Sequence, residues 1–354
     1  MKTQQTTAWR RLLTASLIVA APMSALADSA VPMGESNTAA QQALLDASSH
    51  HTESLRSLMA KPHYTIGKIG KEMPDKRSNA WIVYDGGYDS LNGSSGMSDY
   101  TRGFQGLMLG MDKQYTPSMN LGIAFGYERS IARQSPTRVD SDIYTIDLYS
   151  GVKTGNLDHK FIVGVGLHDM DSRRLFTSPD SDAAIHADGS ADAYAINVGY
   201  ELSRTYELTD HSSYTPFLTV DYAYISADDM QESGAGSSSL RTDYGSMNLL
   251  QAGLGIAYNR SFCLFPSRQA ASMSIYAKAA AEFSKHQPSI TNTLADDGGS
   301  ARLKGIKREP IFGQIGMHVN IPVSAGTDMV MGAYGRLGED RLNVAGNVGF
   351  NCRF

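Results

Sequence analysis

Residues 341–354 read Arg-Leu-Asn-Val-Ala-Gly-Asn-Val-Gly-Phe-Asn-Cys-Arg-Phe, and the reading of this stretch decides the fold. One set of alternate positions is Leu342, Val344, Gly346, Val348, Phe350, Cys352 and Phe354. The other set is Arg341, Asn343, Ala345, Asn347, Gly349, Asn351 and Arg353. A period of two places the sets on opposite faces of a single β-strand. A water-soluble sheet would turn the apolar face to a core. A transmembrane barrel turns it to lipid and the Asn/Arg face to a wet lumen.

Upstream of this strand the same period runs back to Ala80. Twelve candidate strands are centred near residues 84, 107, 125, 148, 164, 198, 220, 254, 278, 315, 332 and 348. The sixth is clear: Tyr194, Ile196, Val198, Tyr200 and Leu202 face one way, and Ala195, Asn197, Gly199, Glu201 and Ser203 the other. That pattern predicts lipid at 196 and water at 197. The second and eleventh strands are rich in Met and Gly, and periodicity does not assign their faces. Short links are expected at Lys113–Ser118, Gly155–Asp158, Glu207–Ser213 and Pro322–Gly326, and longer polar ones at Ser90–Tyr100, Ser172–Gly189, Ala227–Asp243 and Lys285–Ile306. Short turns on one rim and long loops on the other are the rhythm of an outer-membrane barrel. The expected fold class is therefore all-β: a twelve-stranded antiparallel up-and-down transmembrane barrel.

The composition agrees. Mean hydropathy is slightly negative because lipid-facing and lumen-facing residues average out. Glycine is abundant (34) and Tyr (18) far outnumbers Trp (2), as suits interfacial girdles. The net charge of −5 comes with no basic block of the kind nucleic acid requires. Two cysteines, Cys263 and Cys352, do not make a disulfide scaffold; on non-adjacent strands they are expected to stay unbridged.

The N-terminal end sets the expected compartment. Lys2, Arg10 and Arg11 precede the apolar run Leu12–Ala21, and Ala25-Leu26-Ala27 is an A-x-A cleavage site. Residues 1–27 are thus expected to be a secretory signal peptide, with the mature chain starting near Asp28. Ten or so apolar residues are too few to span a hydrocarbon layer of roughly 30 Å as a helix. Residues 28–79 form the next unit. Asn37–Met59 carries Ala40, Leu44, Leu45, Leu55 and Leu58 near helical spacing, which predicts one helix, followed by a polar linker with Lys68, Lys71, Lys76 and Arg77. The barrel unit is expected over residues 80–354.

The first quarter of that unit carries a specific likeness. Trp81 opens a strand and Asp85 follows; then come Gly103-Phe104-Gln105-Gly106, Leu109-Gly110-Met111-Asp112 and Leu121-Gly122-Ile123-Ala124-Phe125-Gly126-Tyr127. This succession, with the terminal aromatic Phe354, resembles the β-domain of bacterial autotransporters, the type V secretion translocators. The resemblance implies a barrel in the bacterial outer membrane with a helix threaded through its pore, and residues 37–59 match that helix. It implies two partners, outer-membrane lipid and the barrel assembly machinery, which reads the C-terminal strand through Phe350 and Phe354. A monomer is expected. The sequence departs from the family in having only about 50 residues between Ala27 and the barrel, where autotransporters carry a large passenger. It also lacks the Asn-Asn junction some members cleave; Ser78-Asn79-Ala80 stands there instead.

Candidate chemistry is sparse. Asp147, His168, Asp169, Asp171, Asp221 and His318 lie on lumenal or rim positions, but neither a G-x-S-x-G elbow nor an H-E-x-x-H pair is present. His50-His51 reads as a solvated helix face. Asp180, Asp182, Asp188, Asp192 and Asp296-Asp297-Gly298-Gly299 lack the spacing of an EF-hand. No cofactor, metal or catalytic residue is expected. Glu128, Asp147, Lys153, Glu201, Lys278 and Glu282 are expected to line the lumen and give a pore helix polar partners. The function expected is an autotransporter-type barrel without a large passenger, acting as an outer-membrane pore or surface-display barrel. The alternatives are a translocator for a short or separate passenger, and an outer-membrane hydrolase.

Overall fold

The structure, a computed structural model, describes residues 37–59, 78–93, 97–177, 184–263, 270–284, 287–295, 298–324 and 326–354. The expected signal peptide, the linker after residue 59, and Asp180, Asp182, Asp296 and Asp297 lie outside these.

Twelve strands form the wall: β1 (Ser78–Leu91), β2 (Tyr100–Thr116), β3 (Met119–Gln134), β4 (Thr137–Thr154), β5 (Leu157–Thr177), β6 (Ala184–Ser203), β7 (Ser212–Ala227), β8 (Ser246–Phe262), β9 (Ala271–Glu282), β10 (Ile311–Pro322), β11 (Thr327–Leu337) and β12 (Arg341–Arg353). Each pairs antiparallel with its neighbour in sequence, and β12 returns to β1, from Asn79↔Arg353 to Leu91↔Arg341. Closure removes the sheet edges that hydrocarbon would leave unsatisfied. Outside the chain's last strand, Ser78 and Phe354 exchange two backbone hydrogen bonds of 3.1 and 3.0 Å. No described helix is long and apolar enough to cross a membrane.

The alternation is physical. Leu109, Leu148, Val163, Val165, Ile196, Leu254, Ile315 and Phe350 point outward and are exposed, forming the band a bilayer covers. Their neighbours Met108, Asp147, Ile162, Asn197, Gln251, Gln314 and Asn351 are buried inside. Strands two and eleven resolve too: Tyr100, Arg102, Phe104, Met108 and Asp112 of β2, and Asp328, Tyr334 and Arg336 of β11, face inward. Glycine makes room for lumenal rings at two informative positions. A Cβ at Gly122 would overlap the ring of Tyr149, and one at Gly316 the ring of Tyr276.

The two ends of the barrel differ, although less regularly than the sequence rhythm implies. β3 and β4 are joined by only Ser135 and Pro136 at the long-loop end. Loops read as merely polar also hold structure. Met230–Gln231, Leu240–Asp243, Ser289–Leu294 and Ser300–Lys304 form a four-stranded sheet whose strands come from two different loops. At the opposite end Tyr206–Thr209 folds back on β7 as a short flap.

The single described α-helix, α1 (Thr38–Met59), lies inside this wall, and nearly all of its 22 residues are buried. At 1.5 Å per residue it is about 33 Å long, the depth of a bilayer's hydrocarbon layer. Its N-terminal turn lies under the four-stranded sheet. Its last turn packs Leu55 and Leu58 against Trp81, Val83, Tyr149 and Ile162 near the short-turn end.

Candidate functional site: the plugged lumen

α1 carries almost no continuous apolar face, so an isolated copy would gain little by folding in water. Its apolar residues fall in two clusters. Ala39, Ala40, Ala43, Leu44 and Leu45 meet Tyr100, Ala132, Val139, Met170 and Ile225 at the long-loop end. Leu55 and Leu58 form the other cluster. Between them the helix is held by charge.

Asp46, fully buried, accepts from Arg308 Nη1 at 2.9 Å and Arg341 Nη2 at 2.7 Å. Arg308 comes from the long loop after β9 and also donates to Glu282, at 3.0 Å from Nε. Burial alone would lower the pKa of Arg308, but the Glu282 and Asp46 carboxylates outweigh it and hold the guanidinium above its ordinary value. Arg336 Nη1 donates to Ser49 Oγ at 2.6 Å. Glu53 is the most heavily engaged group. It accepts from Lys278 Nζ at 2.8 Å, Gln314 Nε2 at 2.8 Å, Tyr276 Oη at 3.2 Å and Arg56 Nη1 at 3.0 Å. Arg56 in turn meets Asp221 and, at 3.6 Å, Glu201. Buried charge costs several kcal/mol per ion unless partnered, and here helix and wall partner each other.

The upper turn is held mainly by amide hydrogen bonds, one of them from Asn37 Nδ2 to the Glu232 carboxylate at 3.4 Å. Asn37 Nδ2 donates to Thr242 Oγ1 at 3.1 Å, and Gln41 Nε2 to the Tyr244 and Ser289 carbonyls at 2.7 and 3.1 Å. The sheet that supplies these groups is fixed to the barrel by Arg174, whose Nε and Nη2 grip the buried Glu232 carboxylate at 3.0 and 2.5 Å. Helix and sheet thus meet at the long-loop mouth.

The residues expected to line the lumen are distributed as follows. Glu128 meets Arg102, Asp147 Oδ2 accepts from His51 Nε2 at 2.8 Å, Glu201 accepts from Lys160 Nζ at 2.8 Å, and Lys278 and Glu282 hold Glu53 and Arg308. Lys153 is a correction. It has lumenal parity but lies at the β4–β5 turn, with an exposed side chain whose Nζ is 4.0 Å from Asp158 Oδ1. His50-His51 is a second correction: this is no solvated face. His50 is buried between Tyr334 Oη at 2.6 Å and Asp85 Oδ2 at 3.0 Å.

The candidates for hydrolysis do not converge. Asp147, His168, Asp221 and His318 face the lumen, on separate strands, while Asp169 and Asp171 point outward and are exposed. Ser54, His50 and Asp85 come together, but Ser54 Oγ and Asp85 Oδ2 both approach the same ring nitrogen, Nε2, at 3.1 and 3.0 Å. A nucleophile–base–orienter relay needs them on opposite nitrogens. Among the described residues no group of three or more His, Cys, Asp or Glu side chains is set to hold a metal ion. Asp188, one of the loop aspartates, pairs with Arg173 at 2.6 Å. Cys263 and Cys352 are both free and exposed.

Sequence reasoning missed Asp46, Arg308, Arg336 and Arg341 as seat residues, and Arg102, which pairs with Asp89 and Glu128 inside the wall. Arg341 already stood on the polar face of the last strand. Arg102 sat in the unassignable second strand, and Arg308 lies in a loop where periodicity carries no signal.

The comparisons with known proteins agree with this geometry. The chain matches the translocator domain of autotransporter NalP from Neisseria meningitidis with a TM-score of 0.68 at 13% identity, over 91% of this chain and 100% of that one. It matches the transport unit of the autotransporter AIDA-I from Escherichia coli with a TM-score of 0.54 at 14% identity, over 86% of this chain and 98% of that one. At such identities these likenesses concern the fold. The curated YaiT proteins of Escherichia coli K12 and Salmonella typhimurium are 26% and 25% identical over 196 and 198 residues, 53% of this chain. The matched region is 19% of the length of either relative. The family model for the autotransporter β-domain matches residues 80–349, all twelve wall strands, and the chain belongs to that family, with the outer-membrane translocator barrel as its fold.

Proposed function

We propose that this barrel is an outer-membrane anchor in its closed state, a pore that α1 and the loop sheet seal and that displays its long loops, with whatever precedes α1, on the cell surface. The observation that carries this reading is the charged seat of α1: Asp46, Glu53 and Arg56 each find wall or loop partners across the lumen. A segment held this way blocks solute flow. The direction of α1 also favours the translocator reading, since its N-terminal turn stands at the long-loop mouth. A chain drawn outward through the pore would leave that trace, whether its passenger is short or separate. Lipid is the partner of the outward apolar band, and the assembly machinery the partner of the exposed Phe350 and Phe354 beside the β1–β12 seam.

The test is conductance in a planar bilayer. The intact protein should conduct poorly, and deletion of residues 28–76 should open a larger, steady pore. Equal conductance of the two would remove the plug from the reading and leave α1 a periplasmic tail.

A further inference from the structure

α1 is not held alike on all sides. Toward β9–β12 it makes direct ion pairs. Toward β3–β6 it borders a cavity of about 20 Å³ lined by Ser48 and His51 of the helix and by Glu128, Thr145, His168 and Asn197 of the wall. Four polar atoms of its lining receive no hydrogen-bond partner from the protein: Ser48 Oγ, Thr145 Oγ1, His168 Nδ1 and Asn197 Oδ1. Their residues are all more than nine-tenths buried. Buried polar groups in folded proteins are hydrogen-bonded almost without exception, so four together mark a place for a guest.

We propose that this cavity is a binding site for one or two ordered water molecules that bridge α1 to β4, β5 and β6. The volume fits: a water needs about 10–15 Å³ measured this way. The count fits as well, because a buried water makes about three hydrogen bonds and two waters serve the four atoms. The chemistry selects water. Asn197 Oδ1 accepts, the two hydroxyls donate or accept, and His168 Nδ1 does either according to its tautomer. Water, which both donates and accepts, satisfies that set. An anion would be repelled by Glu128 and Asp147, and the described residues offer no metal-binding cluster. Small residues keep the space open: a Cβ at Gly126 would lie 2.5 Å from Thr145 Oγ1 and 3.6 Å from His51 Cε1. Toward β3–β6 the plug is therefore seated on water as well as on its His51–Asp147 and Arg56–Glu201 pairs.

The test uses a substitution whose sign discriminates. Thr145→Val keeps the shape and removes the hydroxyl. With water bound, the variant strips a partner from the bridge, and the midpoint of heat-modifiability of the full chain on gels falls. Asn197→Leu should lower it too, and the double variant should fall by less than the sum, because both side chains serve the same waters. If no water is bound, Thr145→Val removes an unsatisfied hydroxyl, and an unchanged or raised midpoint overturns the proposal. Should Asn197→Leu fail to assemble, a high-resolution crystal structure of the wild type decides. A water peak within hydrogen-bond distance of Ser48 Oγ and Thr145 Oγ1 supports the proposal; absence of density, or a thallium anomalous peak after exchange of monovalent cations, overturns it. The Thr145→Val pore should stay closed, which separates this result from any failure of the plug reading.

Discussion

Replacing Glu53 by Gln should loosen the plug more than any other single neutral substitution in α1. The side chain keeps its size but loses its charge. Arg56 retains Asp221 and Glu201, and Arg336, 3.9 Å from Glu53, retains Gln314 and Ser49. Lys278 does not fare so well. Its ammonium, 4% exposed, has its salt bridge to Glu53 alone among the described residues, so the substitution leaves a buried cation without its counter-charge. Removing one partner of such a pair costs roughly 3–5 kcal/mol. Since every 1.4 kcal/mol is tenfold, the ratio of unseated to seated helix should rise roughly 100- to 4,000-fold. In a planar bilayer that appears as a matching rise in the frequency of brief openings. Adding Lys278→Met, which removes the stranded charge at similar volume, should return the openings most of the way to the wild-type frequency. If Glu53→Gln leaves the frequency unchanged, or Lys278→Met fails to reverse its effect, the helix is not held by this pair and the electrostatic account of the seat is wrong.

Further outcomes follow from the wall. Ile196→Arg puts a cation on the lipid face, where it costs roughly 2–4 kcal/mol at mid-membrane, and should reduce the amount of heat-modifiable barrel without opening the pore. Asn197→Arg, which a wet lumen would tolerate, should also do harm, because Asn197 is 2% exposed against α1; its signature is raised conductance rather than poor assembly, and wild-type behaviour would refute the packed lumen. Deleting Phe354 removes both backbone hydrogen bonds to Ser78 and an exposed ring at the seam, so outer-membrane levels should drop and periplasmic degradation rise; unchanged levels would count against an assembly role. Gly122→Val would drive the Tyr149 ring away from Trp81 Nε1, which donates to its hydroxyl at 2.8 Å, and should lower the heat-modifiability midpoint by the roughly 1–3 kcal/mol of an overpacked site.

Much of the wall was legible because its signal is local. Alternation at period two needs only neighbouring residues, so β6 and β12 declare which face meets lipid without reference to any other strand. The order of Trp81, Asp85 and the Gly-rich pieces through Tyr127 was enough to mark the family resemblance. Where the local signal weakens, the reading weakened with it: β2 hides Arg102 among Gly and Met, and its face appears only when Arg102 is seen bonded to Asp89 at 2.9 Å. The helix at residues 37–59 was legible as a helix, but His50 and His51 were misjudged as solvated, because helical spacing does not say what surrounds it.

By itself the sequence determined a closed antiparallel barrel with an apolar outer band, a polar inner face and one helix ahead of it. Only the tertiary structure decided what the inner face is for. The seat of α1 joins Asp46 to Arg308 across 262 residues and to Arg341 across 295, and the sheet over the mouth pairs Leu240–Asp243 with Ser289–Leu294 from another loop. Such partners share no period and no motif. They meet because closing the barrel brings β9, β12 and the long loops around one axis, where a buried carboxylate must find a cation or pay its full desolvation cost.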